Sequence, residues 1–282
     1  MKIGIIGNGF VGKATRILSC KDIDLCVYDI VPELCLPNGT TLKDICDCDL
    51  IFISVPTPMN KNGSCYLNIL KNVVNNIKSI TDLNKSLVVI RSTVPPGTSN
   101  ELNCFFMPEF LTEKNYVNDF KNCKDWIFGL KNNEQDELFK QKITEMINLA
   151  YNNKNINYNN IHFVNNSEAE MIKLFRNNFL AVKVSFCNEI ADFCNSKNID
   201  YETVRKLAVL DSRIGPSHSI VPGPDGKKGF GGTCFPKDTN SLRHEIIKSG
   251  NSSYIIDSAI RRNEELDRKE KDWNSNKGRA VV

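Results

Sequence analysis

The 282-residue sequence has few of the features that mark metal-binding, nucleic-acid-binding or membrane proteins. Its formal net charge is only +3, so no large excess of one sign is available to attract nucleic acid or a membrane surface. It has three histidines and no Cys-x-x-Cys pair, and Cys46 and Cys48 alone cannot complete a zinc site. We therefore predict no bound metal, no nucleic-acid partner and no membrane partner.

Disulfides and secretion are not indicated either. The count of 11 cysteines is odd, and the first apolar run fails as a signal peptide because Gly4, Gly7 and Asn8 interrupt it. No apolar run approaches the ~20 residues that a membrane-spanning helix needs. These patterns favour a reducing compartment, and we expect a cytoplasmic protein.

The first part of the sequence alternates short apolar strands with helices. The strand-like runs read "KIGII", "DLCVYDI", "CDLIFISV", "SLVVIRS", "CFFMPEFL" and "DWIFGL". Helical segments lie among them, notably at 66–80 and 134–150. This alternation is typical of the α/β class, and it predicts a doubly wound, mainly parallel sheet over residues 1–165, with 152–166 as a loop and an edge strand.

The pattern then changes to helices alone. Helical periodicity continues over 167–197, with Ser167 as a candidate N-cap. A second short helix, a glycine–proline loop at 215–233 and further helices follow, whereas the tail after about residue 268 is expected to be only partly ordered. We therefore predict an all-helical second domain over 166–282.

Gly7, Gly9 and Gly12 form a G-x-G-x-x-G pattern between the first predicted strand and the first predicted helix. The first glycine permits a tight turn, the second lets a pyrophosphate approach the backbone, and the third lets the helix pack on the strand. Asp29 ends the second strand about 20 residues further on, where a carboxylate can bind a ribose 2′-hydroxyl and repel a 2′-phosphate. The pattern indicates a Rossmann-type domain that binds NAD in preference to NADP. A glycine turn in another kind of α/β protein is the alternative.

Two threonines follow later strands at the sheet edge where ligands of open α/β sheets bind. Thr57 stands in "SVPTP" and Thr93 in "RSTVPPGT". Thr57 could line a cofactor site, and Thr93 could reach the reacting centre. Alternatively, both hydroxyls cap the turns that the following prolines form.

The stretch "GFGGTCFPKD" surrounds Cys234 with glycines on one side and a Lys-Asp pair on the other. Glycines let backbone N–H groups approach a ligand without obstruction, and Lys237 would favour the nucleophilic thiolate of Cys234. Asp238 could hold a water molecule or orient a neighbour. The alternative is an inert cysteine buried in a glycine loop.

Taken in order, these motifs resemble those of the UDP-glucose/GDP-mannose dehydrogenases. The resemblance rests on the blocks "GNGFVG", "VPTP", "STVPPGT", "PEFLTE", "AEMIKLFRNNFLAVKVSFCNEI", "DSRIG", "VPGPDGKKGFGGTCFPKD" and "AIRRNEE". It implies an NAD-dependent oxidation of a nucleotide-sugar CH2OH to a carboxylate, with UDP-glucose preferred to GDP-mannose. It also implies a helical central domain whose long helix forms a homodimer.

The resemblance assigns six catalytic positions, which are Cys234, Lys173, Asn177, Asp238, Thr93 and Glu109. Cys234 would form a thiohemiacetal and then a thioester, while Lys173 and Asn177, four residues apart on one helix face, would stabilise the tetrahedral oxygen. Glu109 would act in base chemistry, and Thr93 and Asp238 would position water. For Lys173 and Asn177 the alternative is a solvated helix face, and for Glu109 it is a helix cap.

Binding residues follow from the same resemblance. The cofactor would contact Gly7, Gly9, Phe10, Val11, Gly12, Asp29, Val55, Thr57, Thr93 and Lys237. The substrate would contact Glu109, Phe110, Leu111, Lys173, Asn177, Phe230 and Gly231, with Arg213 reaching the substrate of the neighbouring subunit.

The sequence departs from the family pattern in three places. The family's C-terminal UDP-binding domain is expected to be absent, "CKDWIFG" lacks the usual arginine, and Lys114 replaces a glycine. Two other functions therefore remain open. One is a β-hydroxyacid-type dehydrogenase that transfers a single hydride without a cysteine nucleophile, and the other is an NAD-binding protein without catalysis.

Overall fold

The computed structural model describes residues 1–83 and 86–282, and these divide into two compact units. The first unit comprises Met1–Thr57 and Leu67–Lys173. The second comprises Pro58–Tyr66 and Leu174–Val282.

The first unit contains the predicted alternation of strands and helices. Its strands are β1 (Lys2–Ile6), β2 (Asp24–Tyr28), β3 (Leu50–Ile53), β4 (Leu87–Ile90), β5 (Phe105–Phe106), β6 (Asp125–Leu130) and β7 (Asn160–Asn165). Its helices are α1 (Phe10–Thr15), α2 (Leu42–Cys46), α3 (Asn68–Lys78), α4 (Thr98–Glu101), α5 (Tyr116–Lys121) and α6 (Asp136–Asn152), with 3-10 turns at Arg16–Leu18 and Pro32–Leu34. The two helices predicted at 66–80 and 134–150 are confirmed as α3 and α6.

The strands form one seven-stranded sheet in the order β2-β1-β3-β4-β5-β6-β7. All neighbouring pairs are parallel except β5 and β6, which meet in an antiparallel pairing at Phe106 and Gly129. The doubly wound, mainly parallel sheet is therefore confirmed. From β1 the chain continues to β2 on one side and then to β3 on the other, so the direction of strand order changes between β1 and β3. In such sheets, ligands bind beyond the carboxyl ends of the strands at this switch point.

Both faces of the central strands are buried. Ile3 and Ile5 belong to one apolar cluster, whereas Ile6 and Ile53 belong to the cluster on the opposite face. A parallel sheet covered on both faces needs apolar residues in succession, which explains the unbroken apolar runs of the sequence. Each such side chain contributes about 1.5–3 kcal/mol when it leaves water completely.

Helix α7 (Asn166–Ser196) begins in the first unit and ends in the second. The prediction of Ser167 as its N-cap is wrong, because Ser167 lies inside the helix. Asn165 Oδ1 accepts a 2.9 Å hydrogen bond from the backbone N–H of Glu168, and Glu168 Oε2 accepts a 2.9 Å bond from the N–H of Asn165. This reciprocal arrangement is a capping box, which satisfies two N–H groups that the helix leaves unpaired.

The second unit is helical, as predicted. After α7 come α8 (Tyr201–Ala208), α9 (Phe235–Lys248) and α10 (Tyr254–Arg262), followed by a π-helical turn at Asn263–Asp267 and a 3-10 turn at Asp272–Ser275. The tail is more ordered than the sequence predicted. Trp273 is buried, and the backbone of Met59 pairs with Ala280 and Val282 over 2.8 and 3.1 Å.

Within the described residues, no helix combines the length and the apolar character that crossing a bilayer requires.

Candidate active site

The glycine-rich turn after β1 is shaped by close backbone contacts. Gly7 has a φ angle of +93°, and its N–H donates to Tyr28 O over 2.9 Å. A Cβ atom would lie 2.6 Å from Ser54 O at Gly7 and only 1.9 Å from Gly7 O at Gly12. Gly9 differs, because a Cβ atom there would meet nothing within 4 Å. The protein itself therefore requires Gly7 and Gly12, whereas the open space at Gly9 fits the close approach of a dinucleotide.

Asp29 follows β2 directly and is tied to the glycine turn. Its Oδ2 accepts a 2.7 Å bond from the N–H of Asn8, and its Oδ1 accepts a 2.9 Å bond from the N–H of Val31. Asn8 is buried, and its side-chain amide donates to Leu34 O over 2.7 Å. Sequence reasoning overlooked Asn8, although its place between two motif glycines was a signal. These bonds hold the Asp29 carboxylate beside the glycine turn.

Hydroxyl groups join the ends of β3 and β4. Thr57 Oγ1 donates to Thr93 O over 2.8 Å, and Ser92 Oγ donates to Val55 O over 2.6 Å. The Thr57 hydroxyl thus bonds across to the neighbouring strand end. The structure brings Val55, Thr57 and Thr93 together, and Ser92 is a contributor that the sequence reasoning missed.

Glu109 and Lys173 form a buried ion pair in the first unit. Lys173 Nζ lies 2.8 Å from Glu109 Oε1, and the two side chains are 4% and 6% exposed. Glu109 Oε2 also accepts a 3.0 Å bond from the N–H of Leu111, and Lys173 Nζ lies 5.9 Å from the ring centroid of Phe110. A solvated helix face is therefore the wrong description for Lys173. Four of the predicted substrate contacts lie together here.

Glu170 supports the same region from α7. Its carboxylate accepts bonds from the N–H groups of Gly97 and Ser99 over 2.5 and 2.8 Å, which anchors the loop that follows Thr93. Burial raises the pKa of Glu170, and the N–H and hydroxyl groups of Ser99 act in the opposite direction. The sequence reasoning missed Glu170, although it precedes Lys173 by three residues.

Arg91 is a second buried cation near Glu109. Its guanidinium bonds to the hydroxyl of Thr15 and lies 5.6 Å from the ring centroid of Phe120. Burial lowers the pKa of Arg91 to about 10, while the charge of Glu109 opposes this change. The sequence reasoning missed it because a cation at the end of an apolar strand resembles a surface residue.

Cys234 lies in the second unit, immediately before α9. It is half-buried, its carbonyl accepts the N–H of Asp238 over 2.9 Å, and the Thr233 hydroxyl lies 3.7 Å from its Sγ. Burial opposes the charge of Lys237, but Asp238 and the thiols of Cys65 and Cys234 outweigh it and raise the pKa of that lysine. Lys237 therefore stays positively charged in the neighbourhood of the Cys234 thiol.

Asp238 connects three side chains of the second unit. It is 1% exposed, its Oδ2 accepts a 2.6 Å bond from Asn177 Nδ2, and its Oδ1 pairs with Lys237. The amide of Asn178 donates to its backbone carbonyl over 3.2 Å. Asn177, Lys237 and Asp238 are thus brought together, and Asn178 is a neighbour that the sequence reasoning missed.

The remaining predicted residues of this unit lie in two loops. Phe230 is buried and Gly231 adjoins it in the glycine loop. Arg213 is exposed after α8, and in the described structure its side-chain hydrogen bonds go to Asp211, at 2.6 to 3.1 Å. Within the second unit, the structure therefore does not place Arg213 beside the other predicted site residues.

The described residues contain no disulfide bond and no side-chain cluster suited to a metal ion. Histidine, cysteine and acidic side chains do not gather there in groups of three or more that could hold a metal ion. All 11 cysteines are described and carry free thiols.

Two models of one protein family match successive parts of this chain. Residues 36–148 match the family described as "UDP-glucose/GDP-mannose dehydrogenase family, NAD binding domain", and residues 167–265 match its "central domain". The UDP-glucose 6-dehydrogenase of Rickettsia prowazekii (strain Madrid E) is 31% identical over 304 residues, covering 93% of this chain and 67% of that protein. The chain thus spans about two thirds of the length of such relatives.

Solved structures show the same fold. A UDP-glucose dehydrogenase from the hyperthermophilic archaeon Pyrobaculum islandicum matches with a TM-score of 0.79 at 24% identity, covering 94% of this chain and 68% of that one. The 3-hydroxyisobutyrate dehydrogenase of Mycobacterium tuberculosis matches with a TM-score of 0.66 at 14% identity, covering 92% and 91%. The domain matches and the relative above 30% identity establish that this chain belongs to the UDP-glucose/GDP-mannose dehydrogenase family and carries its NAD-binding domain.

Proposed function

We propose that this chain oxidises UDP-glucose to UDP-glucuronate in two steps, with NAD as the acceptor. The observation that carries the proposal is the position of Cys234, half-buried at the N-terminus of a 14-residue helix, with Lys237 charged beside it. The positive end of a helix and a neighbouring cation both favour a thiolate. GDP-mannose or another nucleotide sugar is the alternative substrate within the family.

In the first step, the buried pair of Lys173 and Glu109 receives the proton of the sugar's primary alcohol. The two side chains are almost solvent-free and lie 2.8 Å apart, so they are held in fixed positions for a proton transfer. The alcohol proton passes to Lys173 once Lys173 has given its own proton to Glu109, or to a water molecule bound by Glu109 and Thr93. NAD, when bound, would accept the hydride in each oxidation, so two NAD molecules are used in succession.

In the second step, Cys234 holds the aldehyde in the site. Its sulfur adds to the aldehyde carbon and forms a thiohemiacetal, whose oxygen Lys173 and Asn177 stabilise. Loss of the second hydride and a proton leaves a thioester on Cys234. The covalent bond is needed because a free aldehyde would otherwise leave before the second oxidation.

Hydrolysis then frees the cysteine. Water, positioned by Asp238 and Thr93, breaks the C–S bond and yields a carboxylate and a thiol. Asp238 suits this role because Asn177 and Lys237 fix both of its carboxylate oxygens. Overall, the alcohol and one water molecule lose two hydrides and three protons, so two NADH form for each sugar.

The direct test counts NADH per nucleotide sugar over a panel of UDP- and GDP-sugars. We expect two NADH per UDP-glucose for the unmodified chain, and one or fewer for Cys234→Ser, with aldehyde released. Cys20→Ser is the matched control, because Cys20 is also half-buried and unbridged but lies in the first unit. Two NADH from Cys234→Ser would exclude the thioester step.

Two other outcomes would each support a different function. One NADH per substrate, unaffected by Cys234→Ser, would indicate a β-hydroxyacid-type dehydrogenase. NAD binding without turnover of any sugar would indicate a binding protein.

We also propose that the protein forms a homodimer through α7. Four phenylalanines on this helix are 57–63% exposed, namely Phe175, Phe179, Phe186 and Phe193. Their spacing of four and seven residues places them along one face, and a continuous apolar face of this kind marks a protein interface. An exposed Arg213 could then act on the substrate of the partner subunit.

Light scattering tests the dimer. We expect a mass of twice 31.8 kDa for the unmodified chain and a single 31.8 kDa chain for Phe179→Glu combined with Phe186→Glu. Tyr254→Glu is the control, because Tyr254 is 78% exposed but lies on α10. If the monomeric variant keeps full activity, Arg213 does not act between subunits.

A further inference from the structure

We propose that Asn263 is a positioning residue for Cys234, and that it acts through the backbone of the glycine loop. This inference rests on the proposed role of Cys234 as nucleophile. The term cysteine loop is used below for residues 223–233, and the term clamp segment for residues 263–272. Both lie in the second unit.

Asn263 binds both backbone groups of one residue in the cysteine loop. Its Oδ1 accepts the N–H of Phe230 over 2.8 Å, and its Nδ2 donates to the carbonyl of Phe230 over 2.9 Å. Asn263 is 1% exposed and Phe230 is 4% exposed, so water cannot readily replace either bond. The side-chain amide of Asn263 donates one hydrogen bond and accepts another, and this pair of bonds fixes the orientation of the loop backbone at Phe230.

A change of helix type marks the position of Asn263. Helix α10 ends at Arg262, and the π-helical turn Asn263–Asp267 follows, closed by a 2.7 Å bond from the N–H of Arg268 to the carbonyl of Asn263. Single π-turns within helices are rare and occur often at functional sites. Here the turn begins at the residue whose amide binds the loop.

Charged residues hold the cysteine loop on the N-terminal side of Phe230. Arg268, which is 2% exposed, donates from both terminal nitrogens to Asp225 over 2.8 Å. Lys227 pairs with Glu270 over 2.7 Å. Asn263 therefore belongs to a clamp segment that contacts the loop repeatedly, and its side chain binds both backbone groups of Phe230.

Phe230 transmits this constraint to the thiol. Its ring meets the ring of Phe235 edge to face, with centroids 6.3 Å apart at 75°. Phe235 is the first residue of α9 and directly follows Cys234. Fixing the backbone of Phe230 thus fixes both the loop that enters Cys234 and the aromatic contact beside it.

The two oxidations should depend differently on Asn263. The first hydride transfer needs no bond to Cys234, whereas the second requires the thiol to be in place when the aldehyde forms. A loosened loop therefore slows aldehyde capture selectively. A loss of folded protein would instead reduce both steps equally and leave the NADH ratio unchanged.

The experiment compares Asn263→Ala, Asn263→Asp and Asn166→Ala. We expect both Asn263 variants to lower the yield from two NADH per sugar toward one, with the missing product trapped as aldehyde by hydroxylamine. Asn166→Ala should keep a ratio of two, because Asn166 is equally buried and bonds to Cys104 O over 2.9 Å, but in the first unit. A ratio of two in Asn263→Ala, with turnover reduced only in proportion to folded protein, would overturn the proposal.

A second readout does not need turnover. In Asn263→Ala we expect iodoacetamide to modify Cys234 roughly tenfold faster, because an untied loop opens more often, while Cys20 in the same protein reacts unchanged. An unchanged rate at Cys234 would refute the positioning role even if no sugar is oxidised. If Asn263→Ala speeds the modification of Cys234 but the unmodified chain oxidises no sugar, the positioning role is supported and the proposed function is rejected.

Discussion

Two glycine-rich loops of this chain precede helices, yet their glycines are required by different neighbours. In "GNGFVG", a Cβ atom at Gly7 or Gly12 would strike backbone oxygen atoms of the sheet edge and of the turn itself. In "GFGGTC", a Cβ atom at Gly231 would lie 2.7 Å from a carboxylate oxygen of Asp272 and 2.9 Å from Arg268. The first loop is constrained by backbone, and the second by side chains from the clamp segment.

This difference bears on how each loop can respond to change. A carbonyl oxygen in a sheet-edge turn cannot move without breaking ladder hydrogen bonds, whereas the end of a side chain can change its rotamer. The loop "GNGFVG" is therefore held rigid by backbone atoms of the turn and the sheet edge. The cysteine loop instead depends on side chains that reach it from the clamp segment and from Asn188 and Asp192 of α7.

The largest effect is expected from Gly12→Ala. The new Cβ atom would lie 1.9 Å from Gly7 O, so α1 or the turn must shift, and we expect a loss of about 3 kcal/mol in the free energy of unfolding. Urea denaturation in a Trp273→Phe background measures this, because the remaining tryptophan, Trp126, reports on the first unit. Stability equal to that of the background protein would show that α1 tolerates the shift.

Local sequence patterns were sufficient to predict the fold of the first unit. The sheet, its mainly parallel pairing and the turn at Gly7 depend on residues close in sequence, and burial on both faces leaves a plain apolar signature. One local prediction failed, at the N-terminus of α7, where two residues form the cap together. Ser167 looked like an N-cap, but Asn165 and Glu168 form a reciprocal pair that satisfies two N–H groups.

The support of the cysteine loop could not be predicted in the same way. The motif identified Cys234 and its flanking residues, but Asn263 is 33 positions from Phe230, and no spacing rule joins an amide to a distant backbone group. Glu170 was missed for the same reason, since the N–H groups it binds lie more than 70 residues earlier. Such contacts follow from tertiary packing and not from local periodicity.

An intermediate effect is expected from Gly231→Ala. We expect a loss of about 1 kcal/mol in the unfolding free energy, and a smaller loss when Asp272→Ala is also present, because the obstructing carboxylate is then removed. Trp273 fluorescence in a Trp126→Phe background reports on the second unit. Strictly additive losses in the four-protein cycle would mean that Asp272 moves aside freely, and the side-chain constraint would then be unimportant.

The smallest effect on stability is expected from Gly9→Ala, which completes the comparison. Gly9 has a φ angle of −68° and open space around its Cβ position, so the unfolding free energy should change by less than about 0.5 kcal/mol. NAD affinity should nevertheless fall roughly tenfold or more, because the added methyl group occupies the space that a pyrophosphate would approach. Calorimetric titration with NADH measures this, and Cys20→Ser provides a first-unit control whose affinity should not change. If Gly9→Ala bound NADH normally, the open space at Gly9 would not be the position of the pyrophosphate.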